Sequence, residues 1–335
     1  MRRNENNQVL PQHPHHLPLD TNAHNTAQNS TPEPIDTPEH TKTPNASTDQ
    51  AADEQAQGTF ETFTQSDLNV LTGNVQRPNA TIWFNDNIYA VCNGDWTIYE
   101  LNDTNGDTRT FIYGVRNAHS MYIEATSETD FTMWIPDYDV NALLSVDRTQ
   151  APRQIITGLE GPWGISYINE NSFLITNLLG GNIVHVTRSG EVRLVLDELR
   201  SPTGIASDEE FVYFANNGSA RRSIEWVNLA DILEEQTTPQ VQPLVSGLQN
   251  TTSVLLANDG YLYFSYAVGT RGVVGRVDPT ICREQETGCT NDQVEVILYT
   301  DLAAPLAGLT ISPDMRLFVH TIFRPEIYWV QLPGE

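Results

Sequence analysis

A segment of about forty residues recurs along this chain, and this recurrence limits the possible folds more than any other feature of the sequence. Its clearest copies are "GPWGISYINENSFLITNLLGGNIVHV", from Gly161, and "SPTGIASDEEFVYFANNGSARRSIEWV", from Ser201. Each copy indicates a turn, a strand, a second turn and another strand, because short β-branched and aromatic runs alternate with Asn, Asp, Gly and Pro. A period of this length is typical of stacked or radial repeat folds.

The repeat is anchored by a hydrophobic run that ends in a small or acidic residue and is followed by a polar turn. Six such landmarks occur, at Gly73, Gly114, Gly158, Asp197, Gly247 and Asp301. Each landmark precedes three further strand-like runs. Four strands per unit and six units predict an all-β fold, a six-bladed β-propeller.

The two ends of the repeat array indicate how the ring closes. The last unit, "PLAGLTISPDMRLFVHTIFRPEIYWVQLPGE", has only three strands, whereas "LNVLTG" before the first unit has no blade of its own. We expect this N-terminal strand to become the fourth strand of the last blade. Two insertions are expected after third strands: a helical turn in "VNLADILEEQ" of the fourth unit and a cysteine-containing loop in the fifth.

Residues 1–58 differ in composition from the rest of the chain. They are rich in Asn, Thr, Pro and acidic residues and nearly lack apolar clusters, so they predict a disordered arm before a propeller at 59–335. The formal net charge is −25, and Lys42 is the only lysine. Such a charge repels phosphate groups, so we expect no nucleic-acid partner. We expect the protein to be a monomer.

The sequence gives conflicting indications of the compartment. No apolar run is long enough to span a bilayer, and the first residues lack the apolar core of a signal peptide. Cys282 and Cys289, in "CREQETGC", can instead close a small disulfide ring, which favours an oxidising compartment; half of a zinc site is the alternative. Cys92 lies in a predicted strand as a small buried residue. We therefore predict a secreted, periplasmic or surface-tethered protein, with the start of the chain trimmed or mis-assigned.

The motifs "GPWGISYINENSFLITN" and "SPTGIASDEEFVYFANN" resemble the NHL repeat and the six-bladed propellers of the SMP-30/gluconolactonase type. The shared pattern is Pro-x-Gly-Ile, a hydrophobic strand, a turn, and a tyrosine- or aliphatic-rich strand that ends in Asp or Asn. The resemblance covers the whole globular part as a fold, and it is closest in residues 161–228. It implies a propeller whose loops open around a central channel, but propellers host unrelated activities.

Polar residues that end the second strand of each unit form the most specific candidate site. Alignment of the units gives Asn93, Asp137, Asn177, Asn216, Tyr266 and His320. The second set of loops on the same face, which joins each fourth strand to the next inner strand, adds His119 and Trp163. One interpretation is a polar ligand-binding pocket, with oxygen ligands suited to a divalent cation such as calcium. The other is structural, because Asn and Asp cap tight turns through their own backbone. His119 and His320 form a possible acid/base pair across the channel.

The metal-dependent hydrolase that the resemblance implies is matched only in part. Thr203 stands where an asparagine is expected, Asn216 stands where an aspartate is frequent, and Asp137 is the only carboxylate in the set. Asn79 resembles the asparagine form, but no glutamate stands at the expected entry position. The leading hypothesis is therefore a propeller that binds a small ligand or a protein partner. A lactone- or ester-cleaving metal hydrolase is the alternative, and a purely structural surface protein is the third.

Overall fold

The computed structural model describes residues 61–127 and 130–333. In chain order the strands are β1 (Phe63–Thr64), β2 (Asn69–Thr72), β3 (Pro78–Phe84), β4 (Asn87–Cys92), β5 (Thr97–Asn102), β6 (Thr108–Tyr113), β7 (Tyr122–Ala125), β8 (Phe131–Asp137), β9 (Ala142–Asp147), β10 (Gln150–Thr157), β11 (Pro162–Asn169), β12 (Ser172–Asn177), β13 (Asn182–Thr187), β14 (Val192–Leu196), β15 (Pro202–Ser207), β16 (Phe211–Asn216), β17 (Ser223–Asn228), β18 (Gln242–Ser246), β19 (Ser253–Leu256), β20 (Leu262–Val268), β21 (Arg271–Val277), β22 (Cys289–Thr290), β23 (Glu295–Ala303), β24 (Gly308–Ile311), β25 (Arg316–His320) and β26 (Ile327–Gln331). The helices are α1 (Leu229–Leu233), α2 (Pro279–Arg283) and two 3-10 turns at Gln65–Asp67 and Asn291–Gln293.

These strands form six sheets, each with four antiparallel strands, and the predicted six-bladed propeller is confirmed. From the inner to the outer strand the sheets are β3–β6 (blade 1), β7–β10 (blade 2), β11–β14 (blade 3), β15–β18 (blade 4), β19, β20, β21 and β23 (blade 5), and β24, β25, β26 and β2 (blade 6). Six clusters of buried apolar side chains lie between neighbouring blades, one at each contact. The core is therefore a ring, and it is complete only when the first and last blades meet.

The N-terminal strand closes this ring as the sequence predicts. In β2, Asn69 pairs with Trp329 and Thr72 pairs with Ile327 of β26. Leu71 is buried in the cluster between blades 6 and 1. Closure therefore combines sheet hydrogen bonds with apolar packing. The arm predicted at 1–58 lies outside the described residues.

Two short parallel strands were not predicted, and they connect neighbouring blades at the rim. β1 runs alongside β23 of blade 5, and β22 runs alongside β18 of blade 4. A 3-10 turn with a reciprocal capping box follows each of them, based on Thr64 and Thr290. The chain then enters the outer strand of the following blade. Two residues of pairing are too short to give a periodic signal in the sequence.

Both predicted insertions after third strands are present. α1 follows the third strand of blade 4, and α2 follows the third strand of blade 5. Cys282 and Cys289 form a disulfide, as predicted, and both are buried. Cys92 is also buried and does not form a disulfide.

The inner strands approach one another closely where they begin, because glycine occupies several of these positions. A Cβ on Gly164 would lie 2.6 Å from the Thr203 carbonyl oxygen of the next blade, which is closer than real contacts allow. A Cβ on Gly204 would lie 2.5 Å from the Val254 nitrogen. These close approaches define a narrow channel along the axis of the ring.

Candidate functional site: the central channel and its loop face

The polar residues predicted as a ring share one level in three blades. Asn177 pairs with Pro162, Asn216 pairs with Pro202, and Asp137 forms a bridge with Ala118. In each case the end of a second strand lies opposite the start of an inner strand. The predicted register is therefore present in blades 2, 3 and 4.

In blades 1 and 6 the predicted residues lie one position away from this level. Pro78 pairs with Cys92, so Asn93 lies one residue beyond it. His320 pairs with Gly308, the position that corresponds to Thr176 rather than to Asn177 in blade 3. A shift of one residue turns a side chain to the other face of the strand. The sequence units were aligned by the apparent end of each second strand, and such an alignment does not detect an offset of one residue.

The carboxylate of Asp137 is occupied by the loop that leads to its own inner strand. It accepts hydrogen bonds from the backbone nitrogens of Arg116 at 2.7 Å, Asn117 at 3.3 Å and Asp139 at 3.1 Å. Burial raises the pKa of Asp137, and these backbone donors oppose that shift. Asp137 therefore holds the entry loop of blade 2 in place.

The two asparagines at the same level also form side-chain hydrogen bonds. Asn216 accepts from the Arg200 nitrogen at 2.8 Å and donates to Glu225 at 2.8 Å. Asn177 donates to the Asn182 side-chain oxygen at 2.9 Å within its own loop. The backbone contact of Asn216 matches the turn-capping interpretation of the sequence, whereas the side-chain oxygen of Asn177 has no partner among the described residues.

The residues present do not fit the metal that the related propellers suggest. Both Asp137 oxygens already accept backbone hydrogen bonds. Thr203, where the resemblance expects an asparagine, donates its hydroxyl to the Thr251 carbonyl at 2.6 Å. Among the described residues, no group of three or more His, Cys, Asp or Glu side chains is close enough to hold an ion. Asn79, Asn93 and Asn177 each keep a buried side-chain oxygen with no partner among the described residues. These oxygens are uncharged, and the single carboxylate of the set is already bonded, so the negative charge that a hard cation favours is not supplied.

The channel itself contains a cavity of about 320 Å³, and its walls come from the inner strands of all six blades. Its lining combines hydroxyl, aliphatic and aromatic side chains and includes no Asp, Glu, Lys or Arg. Of the predicted site residues, His119 and Trp163 line this cavity. The lining does not include Asn93, Asp137, Asn177, Asn216, Tyr266 or His320.

His119 and Trp163 form a stacked pair at the loop face of the channel. Their rings are 3.4 Å apart at the centroids and nearly parallel, and Tyr138 packs edge-on against His119 at 5.8 Å. The Trp163 indole N–H donates to the Thr252 carbonyl of blade 5 at 3.3 Å, so the side chain reaches past blade 4. Burial lowers the pKa of His119 to about 3, so the pair is uncharged at neutral pH.

The other cavity-lining residues were not predicted as site residues. Hydroxyl side chains recur along the inner strands and just before them: Thr81, Ser120, Ser166, Ser207, Thr252, Ser253 and Thr310. The signal was present as small or hydroxyl residues that alternate with aliphatic ones, as in "GISYI" and "GLTIS". Inner strands of a propeller face a channel on one side, and this alternation follows that geometry.

Comparison with known proteins supports the fold. No protein-family model and no curated protein matches the sequence. A gluconolactonase from Xanthomonas campestris is similar over 79% of this chain and 89% of its own, with 13% identity and a TM-score of 0.61. The fold is that of the SMP-30/gluconolactonase-like six-bladed propellers.

Two further solved structures show how widely this fold is used. A calcium-binding protein, regucalcin, from Agrobacterium tumefaciens has 13% identity and a TM-score of 0.58, over 80% of this chain and 94% of its own. A nidogen/laminin complex has 18% identity and a TM-score of 0.52, over 68% of this chain and 85% of the matched chain. At such identities the similarity establishes the fold alone.

Proposed function

We propose that this protein is a ligand-binding propeller whose central channel takes a small, uncharged ring compound. The observation that carries the proposal is the composition of the cavity wall. It has a stacked Trp163–His119 pair at the loop face and no charged side chain among its lining residues. Binding pockets are typically apolar and aromatic, with a few polar groups that fix orientation. The channel has that composition.

The cavity volume limits the size of the ligand. A volume of about 320 Å³ lies at the lower end of the range for small-molecule pockets. Aromatic contacts with Trp163 contribute about 0.5–1.5 kcal/mol beyond the area that they bury. Hydroxyl groups on the inner strands add polar contacts without a charge. A single ring with one or two oxygen substituents suits this space.

The rival function is a metal-dependent hydrolase, which the similarity to a gluconolactonase favours. Such an enzyme needs a Lewis-acid metal or a free general base close to the substrate. In this chain the Asp137 carboxylate is occupied by backbone donors. The uncharged lining of the cavity supports binding over metal-assisted hydrolysis.

Thermal shift measurements separate the two functions. We expect phenol or benzaldehyde, at millimolar concentration, to raise the melting temperature of the wild-type protein by about 2 °C or more. Trp163→Ala should abolish this rise, whereas Trp96→Ala, at an exposed tryptophan outside the channel, should retain it. EDTA and CaCl2 should have no effect. A melting temperature that EDTA lowers and calcium restores, with loss of both effects in Asp137→Asn, would favour the hydrolase.

We further propose an extracytoplasmic location and a monomeric state, with a protein partner at the loop face as the second kind of ligand. The disulfide is compatible with an oxidising compartment. Among the described residues, no helix combines the length and the apolar character required to cross a bilayer. Size-exclusion chromatography with light scattering tests the monomer, and a concentration-dependent dimer would contradict it.

A further inference from the structure

Side-chain hydroxyls bridge neighbouring blades at the loop end of the inner strands. Thr176 donates to the Thr203 carbonyl, Thr203 donates to the Thr251 carbonyl, and Thr252 donates to the Leu306 carbonyl, each at 2.6 Å. These bonds join blades 3 to 4, 4 to 5, and 5 to 6. They satisfy buried polar groups where the blades approach most closely.

The contact between blades 6 and 1 is built differently, and we call it the six-to-one seam. It is formed by His320 and Gly308 of blade 6 and by Thr81 and Pro78 of blade 1. His320 occupies the position of Thr176 and is fully buried, yet neither ring nitrogen has a hydrogen-bond partner among the described residues. The Pro78 carbonyl approaches the imidazole without meeting hydrogen-bond geometry.

A second unpartnered polar atom belongs to the same seam. The Thr81 hydroxyl is buried, and its oxygen has no partner among the described residues. A Cβ on Gly308 would lie 3.1 Å from His320 Nε2 and 3.7 Å from Thr81 Oγ1. Both atoms therefore flank one glycine. Gly308 and Thr81 themselves line the channel cavity, whereas His320 lies directly behind Gly308 and outside the lining.

We propose that His320 and Thr81 form the hydrogen-bonding subsite for a hydroxyl or carbonyl oxygen of the channel ligand. The inference rests on the proposed function, because it assigns the polar end of the same ligand. Buried polar groups without partners are rare in native proteins. Thr81 lies in the cavity wall, and only the side-chain-free Gly308 separates His320 from it, so both groups are candidates for ligand recognition.

The chemistry of the two groups specifies an uncharged oxygen. A neutral imidazole offers one donor and one acceptor, and a threonine hydroxyl offers both. A ligand hydroxyl can accept from one and donate to the other, while a carbonyl oxygen can accept from both. Burial keeps His320 neutral by lowering its pKa to about 4, so an anion finds no counter-charge at this seam.

The subsite and the backbone of Trp163 belong to blades on opposite sides of the ring. Trp163 belongs to blade 3 and His320 to blade 6, which are three blades apart in a ring of six. A ring compound between them can contact the Trp163 indole and present its oxygen to His320 and Thr81. The ligand class is thus an uncharged ring with a hydroxyl or carbonyl substituent.

The test compares two probes of similar size, one with a hydroxyl group and one with a fluorine atom in its place. Dissociation constants of phenol and fluorobenzene are measured by titration calorimetry with the full chain. We expect the wild type to prefer phenol by about tenfold, the effect of roughly one net hydrogen bond. The preference should disappear in Thr81→Val and in His320→Leu. Gly308→Ala, which places a methyl group against His320 Nε2, should reduce it.

His185→Leu is the matched control. His185 also has a buried, unpartnered Nε2, but it lies on β13, the third strand of blade 3, whereas His320 pairs directly with the cavity-lining Gly308. This variant should retain the phenol preference. An unchanged preference in both Thr81→Val and His320→Leu would overturn the subsite, as would equal affinities in the wild type. If neither probe binds in a Trp163-dependent manner, the proposed function fails and the subsite fails with it.

Discussion

The seam between blades 3 and 4 and the six-to-one seam perform the same structural task with different side chains. At the first, the Thr176 hydroxyl accepts from the Gly164 nitrogen and donates to the Thr203 carbonyl, so that its donor and its acceptor are both used. At the second, the equivalent His320 has no partner among the described residues. A hydroxyl is thus sufficient to join two blades. The imidazole of His320 adds a hydrogen-bond donor and an acceptor that are not needed to join the blades.

The largest effect is expected from removing the strand that brings blades 6 and 1 together. A chain that begins at Asn74 lacks β2, with its pairing to β26 and the packing of Leu71. We expect cooperative unfolding to disappear, because the ring of apolar clusters is opened. A chain that begins at Thr59 should melt within about 2 °C of the full chain, since its core is intact. Equal circular-dichroism melting curves for the two truncations would contradict closure by β2.

The next effect contrasts the equivalent residues of the two seams. Thr176→Val leaves the Thr203 carbonyl and the Gly164 nitrogen without the hydroxyl, which should cost about 1–3 kcal/mol in the free energy of unfolding. His320→Leu removes two unpartnered nitrogens at similar volume and should be neutral or stabilising. Urea denaturation measures both variants. Equal destabilisation would show that His320 has a structural hydrogen bond in solution.

A smaller effect concerns the pH dependence of stability. Burial lowers the pKa of His320 to about 4 and that of His119 to about 3, whereas an unfolded histidine titrates near 6.5. Below pH 6.5 the unfolded chain therefore binds more protons than the folded one, so stability falls as the pH falls from 7 towards 4. Each such histidine contributes up to about 1.4 kcal/mol per pH unit.

His320→Leu should reduce the slope of unfolding free energy against pH by up to about 1.4 kcal/mol per pH unit, the contribution of one proton. Thr176→Val should leave this slope unchanged. Urea unfolding at pH 7.0, 6.5 and 6.0 provides the measurement, because ordinary carboxylates remain ionised over this range. A slope in His320→Leu equal to that of the wild type would mean that this histidine titrates normally in the folded protein.

The smallest effect uses the free thiol as a reporter of the six-to-one seam. Cys92 is buried in the apolar cluster between blades 6 and 1, and burial raises its thiol pKa to about 12. A thiol reagent should find no reactive thiol in the native protein and one after denaturation, because Cys282 and Cys289 are bonded. Rapid native labelling of Cys92 would show that the seam opens readily. Three thiols after denaturation would contradict the disulfide.

The architecture was largely predictable, because it depends on repeated patterns. Six hydrophobic landmarks and the unpaired "LNVLTG" segment predict the number of blades and the closing strand, and β2 confirms both. The parallel strands β1 and β22 are pairings of two residues, which leave no periodic trace. The sequence therefore predicts elements that the repeat specifies and misses those that only the rim of the ring specifies.

The candidate site was less predictable, because it depends on register. His119 and Trp163 were predicted as loop residues, and both line the cavity, but Trp163 is the second residue of the inner strand β11 rather than part of a loop. The roles of Asp137 and Asn216 were open between ligand binding and turn capping, and their backbone partners favour capping. His320 was predicted at the level of Asn177, but it lies at the level of Thr176. The sequence does not show this one-residue offset in blade 6, because it becomes visible only in the strand pairing.

The most direct test of the account is a crystal structure of the protein grown with phenol and calcium chloride together. The account predicts phenol in the channel, with its ring against Trp163 and its oxygen within hydrogen-bonding distance of His320 Nε2 or Thr81 Oγ1. A calcium ion bound by Asp137 and Asn177, with no phenol in the channel, would contradict it.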